Sequence, residues 1–329
     1  MITLILLLHF CNSTETITSA RFISDAKNEF LLSSQAIFKL GFFSPLNSSR
    51  RYVGIWFNQV PKQTIIWVAN RDTPLRNRNG IFKIADDGNI AVFSGSILGC
   101  SSNVSMAGLV NSSARILLTG NLVLTNGSGH VVWQSFDYLT DRGLPRRKFG
   151  LDQRSGFNRF LTSWKSNADP THGEFSVGFD PHGSPQIFLY KDSAPSYQLG
   201  PWNGHTLNVP NFSSVTPLFS YKFINNKDEV YIIFPLPNAS TTSRIVLDPL
   251  GTLQGQIWLH ESKSWSSIFI VPGGQCDTFS LWPQCNMQPQ NQKAVLLLAR
   301  VRARGNYWLS KCVEKRKVEV VGRPRERNL

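Results

Sequence analysis

Cysteine is scarce in this chain, with five residues among 329. They are Cys11, Cys100, Cys276, Cys285 and Cys312. No Cys-x-x-Cys or His-x-x-x-His spacing accompanies them, so the sequence predicts no metal site and no cofactor. An oxidising compartment would favour a disulfide among Cys276, Cys285 and Cys312, but sequence alone does not decide which of the three would pair.

Long apolar runs and amphipathic helical patterns are also missing. The run from Ile2 to Phe10 is shorter than the roughly twenty residues that a membrane span needs, and it resembles the apolar part of a secretory signal. No Lys or Arg precedes it, and a buried N-terminal strand is the alternative interpretation. The next run, 294–299, ends at Arg300. We therefore expect a signal peptide at residues 1–18, with the cleavage site left open, and no membrane span after it.

Acidic residues are few relative to basic ones, 21 against 34, which gives a net charge of +13. Such a charge can indicate nucleic acid or an anionic surface as the partner. However, residues 300–329 hold ten basic and three acidic side chains, so seven of the thirteen excess charges lie in this tail. No zinc-finger, RNP-type or helix-turn-helix motif accompanies the charge. We predict no nucleic-acid partner, and we interpret the tail as solvated or out of frame rather than as a contact for acidic cell-wall polymer.

Enzyme motifs are absent as well. The six His and 21 acidic residues fall into no GxSxG or HExxH frame, and His172 and His182 stand in turn-like sequence. A Gly-rich ATP loop, an HRD catalytic loop and a DFG triplet, which a kinase needs to hold ATP, metal and base, are missing too. The sequence therefore predicts no catalytic residue.

Strand patterns dominate the sequence. Residues 52–57 and 64–70 are rich in β-branched and aromatic residues, and 81–93 reads as a hairpin around Asp-Asp-Gly-Asn. A Gly-Asn pair recurs at 88/89 and 120/121, each time before an apolar strand, which suggests similar sheets. We interpret the polar stretch 140–175 as a connection to a second set of strands. Two successive all-β domains follow from this pattern. Five tryptophans are predicted to fill the cores: Trp56, Trp67, Trp133, Trp164 and Trp202.

Glycosylation sequons support secretion. Asn-x-Ser/Thr patterns occur by chance in polar loops, but seven of them in one chain, mostly beside turn residues, are informative. Cleavage of the signal could remove the one at Asn12. The other six are predicted N-glycosylation sites: Asn47, Asn103, Asn111, Asn126, Asn211 and Asn238.

Several long motifs resemble one plant family. FKLGFFSPLNSSRRYVGIWFNQVPKQTIIWVANRDTPL (38–75) resembles the bulb-type, mannose-binding lectin domain of S-domain receptor-like kinases and S-locus glycoproteins. GNLVL, WQSFDYLTD and LTSWKSNADPTHGEFS match the same family in order and spacing. LGPWNGHTLNVP and SRIVLDPLGTLQGQIW resemble its S-locus glycoprotein domain. The resemblance covers residues 15–279.

This resemblance implies a β-prism bulb-type lectin domain at 19–140, followed by a second, lectin-like S-locus glycoprotein β domain at 141–275. Full-length members continue through an EGF-like module, a PAN-type module, one membrane span and a cytoplasmic serine/threonine kinase. Here Cys276 resembles the start of the EGF-like module, but Trp282 stands where the next Cys is expected. We interpret 276–329 as a degenerate EGF-like remnant with a basic tail.

Two positions depart from the family in ways that bear on function. The sugar motif of the family is Gln-x-Asp-x-Asn-x-Val-x-Tyr, whose alternate side chains share one face of a strand. Here 85–93 retains Asp87 and Asn89, and a second frame, 117–125, retains Asn121. These three residues are the candidate carbohydrate-binding residues. The alternative, which we favour, is that Asp87 and Asn89 only shape a turn, so that mannose binding is weak or undetectable. Cys100 replaces a usual Trp, which raises the hypothesis of a disulfide-linked dimer.

The resemblance implies an extracellular recognition protein, with pollen or defence-type ligands as the known settings. The expected partners are a peptide or glycan ligand and, as a homo- or heterodimer, sister S-domain receptors. The expected location is extracellular, or the plasma membrane if the chain is part of a receptor. Two alternatives stay open: an incomplete sequence of a transmembrane receptor kinase, and a carbohydrate-binding defence lectin.

Overall fold

The computed structural model describes residues 15–104, 111–180, 185–200, 221–235 and 241–273. Their regular structure is β-strand apart from two single 3-10 turns, Ser34–Ala36 and Ser135–Asp137. In these ranges no helix has the length and apolar character needed to cross a membrane.

The first twelve strands form three antiparallel sheets of four strands each, which we call the first prism. The N-terminal segment gives one short outer strand to every sheet, so residues 16–32 tie the three sheets together. The sheets are β1 (Thr16–Ile17), β10 (Ser113–Ile116), β11 (Leu122–Thr125) and β12 (Val131–Gln134); β2 (Ile23–Ser24), β7 (Gly80–Ile84), β8 (Ile90–Ser94) and β9 (Ile97–Ser101); and β3 (Phe30–Leu32), β4 (Phe38–Phe43), β5 (Tyr52–Phe57) and β6 (Ile65–Val68).

The remaining twelve strands form three further four-stranded antiparallel sheets, which we call the second prism. No sheet mixes strands of the two prisms. In spatial order the sheets are β13 (Arg142–Gly143), β22 (Ser243–Leu247), β23 (Leu253–Leu259) and β24 (Ser264–Val271); β15 (Phe157–Arg159), β14 (Lys148–Asp152), β21 (Glu229–Ile233) and β20 (Lys222–Asn225); and β16 (Leu161–Ser166), β17 (Asp169–Phe179), β18 (Ile187–Lys191) and β19 (Ala194–Gly200).

Alternation along the strands builds the core of the first prism. Ile90 and Val92 of β8 are fully buried, and Leu122 and Leu124 of β11 occupy the equivalent positions of the next sheet. Burial of each such side chain contributes about 1.5–3 kcal/mol. The 32-residue recurrence in the sequence therefore corresponds to two structurally similar hairpins, and the predicted all-β fold is confirmed.

The predicted core role of the tryptophans is confirmed wherever the structure describes them. Trp56, Trp67, Trp133 and Trp164 are all less than a tenth exposed. Trp202 lies outside the described residues. Cys100 is also buried, at 1% exposure on β9, and this burial argues against a disulfide between two copies of the chain.

The interpretation of 140–175 as a connection was wrong. This stretch contains β13 to β16 and the first part of β17. Its polar character misled the prediction because β14, β15 and β17 keep many side chains half-exposed, with little apolar alternation. Backbone pairing holds these strands in register, and Phe149, Val177 and Phe179 still bury their side chains in the core of the second prism.

Candidate functional site

Asn89, one of the predicted carbohydrate-binding residues, is buried directly before β8. Its Oδ1 accepts hydrogen bonds from Ser102 Oγ at 2.7 Å and from the Val104 backbone N–H at 2.8 Å. Ser102 Oγ in turn accepts the Ile90 N–H at 3.2 Å. The amide therefore connects the start of β8 to the chain that follows β9.

Asn121 repeats this arrangement in the neighbouring sheet. Its Oδ1 accepts from Ser135 Oγ at 3.2 Å and from the Phe136 N–H at 3.0 Å, and its Nδ2 donates to Gln134 Oε1 at 2.9 Å. Ser135 Oγ accepts the Leu122 N–H at 2.9 Å. The two Gly-Asn pairs thus make the same kind of internal hydrogen-bonded connection. The structure does not bring Asn89 and Asn121 to a common surface strand.

Asp87 is exposed, and its Oδ1 accepts the Asn89 backbone N–H at 3.0 Å, which forms an Asx turn. The other motif positions carry Ala85, Ala91 and Phe93, which supply no polar group. Carbohydrate binding at Asp87, Asn89 and Asn121 stays a prediction. The described contacts connect each of the two amides to the segment that follows the last strand of its sheet.

The two prisms meet at a junction that includes β5. β5 is buried on both faces, because Val53, Ile55 and Phe57 point into the core of the first prism while Tyr52 and Trp56 point away from it. The outward pair meets Trp164 of the second prism in a separate apolar cluster, which is completed by Phe43, Ile65 and Val68. An uninterrupted apolar strand such as YVGIWF indicates burial on two faces.

Arg71 crosses this junction. It is 3% exposed, and its guanidinium donates to three backbone carbonyls of the second prism. Nε donates to Pro170 O at 2.8 Å, and Nη2 to Ser163 O at 2.7 Å and Thr162 O at 3.3 Å. The ladder between β16 and β17 is interrupted on both sides of Trp164. Such an irregularity disrupts the ladder locally, and here the guanidinium of Arg71 binds carbonyls beside it.

The residues beside Arg71 hold it in position. Asn70 is fully buried, and its Oδ1 accepts the Val53 N–H at 2.8 Å while its Nδ2 donates to Thr73 O at 3.0 Å. On the opposite side of the junction, Gly173 lies against Trp164, and a Cβ at this position would come within 2.4 Å of the Trp164 carbonyl. The motifs WVANRD and DPTHGEF are therefore complementary parts of one interface.

Asp72 adds an ionisable contact to the junction. Its Oδ1 lies 2.6 Å from Nδ1 of His172. Burial lowers the pKa of His172, and the positive charge of Arg71 lowers it further, while the contact with Asp72 opposes both. Burial opposes ionisation of Asp72, but the hydrogen bond from His172 and the charges of His172 and Arg71 hold the pKa of Asp72 below its ordinary value. The pair therefore favours a neutral imidazole and an ionised carboxylate.

Two further tryptophans extend the junction. Trp258 of β23 joins the core of the first prism, although it belongs to the second. Trp265 of β24 lies 5.4 Å from Trp258 and 5.7 Å from Phe57, measured between ring centroids. Its indole Nε1 donates to Thr64 Oγ1 at 3.4 Å. Sequence reasoning missed the whole junction, although the doubly buried β5 was a usable signal.

The described sequons lie at the surface in turns. Asn47, Asn103 and Asn111 are exposed and have positive φ angles of 59°, 48° and 59°, a conformation that Asn tolerates better than most residues. Asn126 is half-buried, and its Oδ1 accepts the N–H groups of Ser128 and His130. Glycosylation at these four positions stays a prediction. Asn211 and Asn238 lie outside the described residues.

Other predicted positions cannot be placed. Cys276, Cys285 and Cys312 lie outside the described residues, as do 1–14 and the basic tail. Within the described ranges, no group of three or more His, Cys, Asp or Glu side chains is arranged to hold a metal ion.

Comparison with known proteins identifies two domains. Residues 64–165 match the D-mannose binding lectin family, and residues 197–292 match the S-locus glycoprotein domain. The lectin match starts within the first prism, at the beginning of β6, and reaches β16 of the second.

The chain is similar to curated plant proteins. It is 37% identical over 279 residues to the G-type lectin S-receptor-like serine/threonine-protein kinase RKS1 of Arabidopsis thaliana, with 83% of this chain and 33% of that kinase covered. It is 36% identical over 287 residues to the S-locus-specific glycoprotein S6 of Brassica oleracea, with 83% of this chain and 64% of the glycoprotein covered. The chain thus spans about a third of the length of the receptor kinases it matches. The resemblance stated from the motifs is confirmed.

Among solved structures, the monomeric monocot mannose-binding lectins from Gastrodia elata align with 18% identity and a TM-score of 0.29. The alignment covers 37% of this chain and 96% of that lectin.

The first prediction concerns Arg71. Replacement of Arg71 by Met leaves three buried carbonyls without their donor, at about 1–3 kcal/mol each, so we expect the free energy of unfolding to fall by about 3 kcal/mol or more. We expect differential scanning calorimetry to show one transition for the parent chain and two transitions, one for each prism, for Arg71→Met. Arg76→Met, at an exposed position, is the matched control. A loss of less than about 1 kcal/mol for Arg71→Met would contradict the role given to this side chain.

The second prediction concerns pH. The lowered pKa of His172 means that the unfolded chain binds the proton more readily, so the stability from neutral His172 is present above its ordinary pKa of 6.5 and is lost as the pH falls below it. Asp72 adds a second loss below its ordinary pKa of 3.8. Melting temperatures from about pH 8 to pH 5 should therefore fall in the parent chain and fall less in His172→Gln. The same acid sensitivity in His172→Gln as in the exposed-site control His130→Gln would refute this assignment.

The third prediction concerns the sugar motif. Asn89→Ala leaves the Ser102 hydroxyl and the Val104 N–H without their acceptor, so we expect about 1–3 kcal/mol of destabilisation in chemical denaturation. Asp87→Ala removes one contact of an exposed carboxylate and should cost about 0.5 kcal/mol or less. Calorimetric titration with mannose should give weak or no binding for the parent chain. Millimolar or tighter binding that Asp87→Ala abolishes would instead establish the sugar site.

Proposed function

We propose that this chain, which belongs to the family of S-domain receptor-kinase ectodomains and S-locus glycoproteins, is an extracellular binding module that recognises its ligand with two rigidly joined prisms. The observation that carries this proposal is the Arg71 junction, because it is built from the long motifs by which the chain resembles that family. A fixed orientation of two β units suits recognition of a surface larger than one sugar. Binding then depends on shape and needs no catalytic group.

The surface of the first prism supports a protein partner. β9 is an outer strand of its sheet, and it exposes Ile97 by 72% and Leu98 by 55%. Apolar side chains on an unpaired sheet edge favour contact with another chain. A second copy of this chain offers the same edge, so we assign a sister S-domain ectodomain as the partner and β9 as the contact. A peptide or glycan ligand would then bind to the paired ectodomains.

The family supports a proposal for the biological setting. We propose recognition of a pollen or defence-type ligand outside the cell, with the sequons on the exposed turns carrying glycans. The proposal concerns the binding module itself. It holds if the module acts alone, if it competes with intact receptors, or if it is joined to a kinase as in the relatives. The alternative, a carbohydrate-binding defence lectin, draws support from the D-mannose binding lectin match. The internal hydrogen bonds of Asn89 and Asn121 count against it.

The fourth prediction tests this function with the full chain expressed in plant cells. We expect secretion into the medium and glycans at Asn47, Asn103 and Asn111 in peptide mass spectrometry. We also expect binding to an immobilised S-domain ectodomain with a micromolar dissociation constant, about −8 kcal/mol. Leu98→Lys introduces a charge at the β9 edge and should weaken binding at least about tenfold. Leu250→Lys makes the same change at a site that is 84% exposed on the second prism, and it should leave binding unchanged.

Three outcomes separate the alternatives. Binding to the ectodomain that Leu98→Lys and Leu250→Lys reduce equally would remove β9 from the contact. Mannose-dependent binding on a glycan array, without ectodomain binding, would favour the defence lectin. Retention of the unglycosylated chain inside the cell would overturn the extracellular assignment.

A further inference from the structure

The guanidinium of Arg244 is held in one orientation on the second prism. Its carbon lies 3.9 Å from the ring centroid of Trp265, so the planar group rests on the face of the indole. Its Nε donates to Oε1 of Gln256 at 2.9 Å. Ile245 and Leu247 of the same strand point into the core of the second prism, so Arg244 lies on the other side of the sheet.

A row of polar side chains on this side of the sheet keeps Gln256 in place. Gln256 Nε2 donates to Gln254 Oε1 at 3.0 Å, and Ser267 Oγ donates to the same oxygen at 3.0 Å. Gln254 Nε2 donates in turn to Asp248 Oδ2 at 3.3 Å. The hydrogen bonds thus run in one direction, from the guanidinium of Arg244 to the carboxylate of Asp248, and they turn the carbonyl oxygen of Gln256 towards Arg244.

The two terminal nitrogens of Arg244 are open to a ligand. Among the described residues, Nη1 and Nη2 donate to no acceptor, and neither nitrogen is closed off from solvent. Arg142 differs in this respect, because its Nε and Nη1 are buried. Arg244 is half-buried, and it presents two adjacent nitrogen donors at the surface. A carboxylate binds such a pair through two parallel hydrogen bonds.

Positive charge is in excess around this guanidinium. Among the described residues, the charged groups that act on the pKa of Arg244 are Arg142 and Asp141, and these two form an ion pair of 2.7 Å. Two guanidinium groups therefore have one carboxylate between them. Burial and the charge of Arg142 lower the pKa of Arg244 to about 8, while Asp141 opposes the shift. Arg244 is charged at neutral pH, and an anionic ligand would offset its repulsion by Arg142.

We propose that Arg244 and Trp265 form a binding site for a single carboxylate, carried by an Asp or Glu side chain of a peptide ligand. Nη1 and Nη2 bind the two carboxylate oxygens, and the amides and hydroxyl of Gln254 and Ser267 lie beside the peptide backbone. Asp248 ends the row with a negative charge, which repels a ligand whose carboxylates repeat along its length. A peptide with one acidic residue is therefore favoured over an acidic polysaccharide. The site rests on the proposed function of the chain as a binding module and supplies the chemistry of its ligand.

The fifth prediction tests this site by isothermal titration calorimetry of the full chain at neutral pH and a constant ionic strength of about 0.15 M. We expect the capped peptide acetyl-Gly-Glu-Gly-amide to bind at least about tenfold more tightly than acetyl-Gly-Gln-Gly-amide, because only the Glu peptide offers an ionised pair of acceptors. Arg244→Gln should remove this difference. Lys263→Gln, which removes an exposed positive charge between β23 and β24, should keep it.

A substitution that keeps the charge separates this site from general attraction of anions. Arg244→Lys retains a positive charge but loses the paired donors and the planar group that rests on Trp265, so we expect it to weaken binding of the Glu peptide. Binding by Arg244→Lys that equals binding by the parent chain would overturn the proposed geometry.

A crystal structure of the parent chain with the Glu peptide covers the case in which Arg244→Gln fails to fold. Both carboxylate oxygens should lie within hydrogen-bonding distance of Nη1 and Nη2 of Arg244. Equal affinities of the parent chain for the two peptides, or a peptide carboxylate bound elsewhere, would overturn the proposal. Tighter binding of trigalacturonate than of the Glu peptide would overturn the choice of a peptide. Binding to the immobilised S-domain ectodomain is a separate readout, so a chain that binds the ectodomain but neither peptide would refute this site and leave the proposed function standing.

Discussion

The guanidinium of Arg71 sets the geometry on which the rest of the molecule depends. A long cationic side chain is enclosed between two β units, and its donors bind three backbone carbonyls of β16 and β17, whose ladder is irregular around Trp164. A side-chain substitution does not remove a backbone carbonyl. The specificity of the contact therefore depends on where the backbone of β16 and β17 lies. The irregular ladder around Trp164 is therefore a functional part of the interface.

The junction also explains the burial of β5. Tyr52 and Trp56 would be exposed if the first prism stood alone, and Trp258 would leave the core that it shares with the first prism. The two prisms consequently share apolar surface in the manner of layers in one domain. A ligand that contacts both would meet a surface already fixed, which lowers the entropic cost of binding.

The sequence predicted the strands better than their assembly. Alternation and turn residues located the hairpins of the first prism, because each depends on contacts within about thirty residues. Arg71 and Ser163 are separated by 92 positions, and no local pattern links them. The stretch around β14 to β17 was misread for a related reason, since its polar side chains and carbonyls are used for pairing and for the junction. The stacking of Arg244 on Trp265 likewise gives no signal in composition or periodicity.

Residues that this chain shares with the family's sugar motif can be explained either by sugar binding or by folding. The turn before β23 has an Asx geometry like that at Asp87, because Asp248 Oδ1 accepts the N–H groups of Leu250 and Thr252, both at 2.9 Å. That turn lies in the second prism, where no sugar motif was found, so the device belongs to the folding of hairpins. Asp87 and Asn89 make contacts that shape the fold, whereas Ala85, Ala91 and Phe93 stand where the family motif has Gln, Val and Tyr. Selection for the fold retains the first set of residues whether or not a sugar binds, and only the second set reports on binding. These contacts favour the exposed edges and turns over the β8 motif as the place of recognition, and carbohydrate binding at the motif stays a prediction.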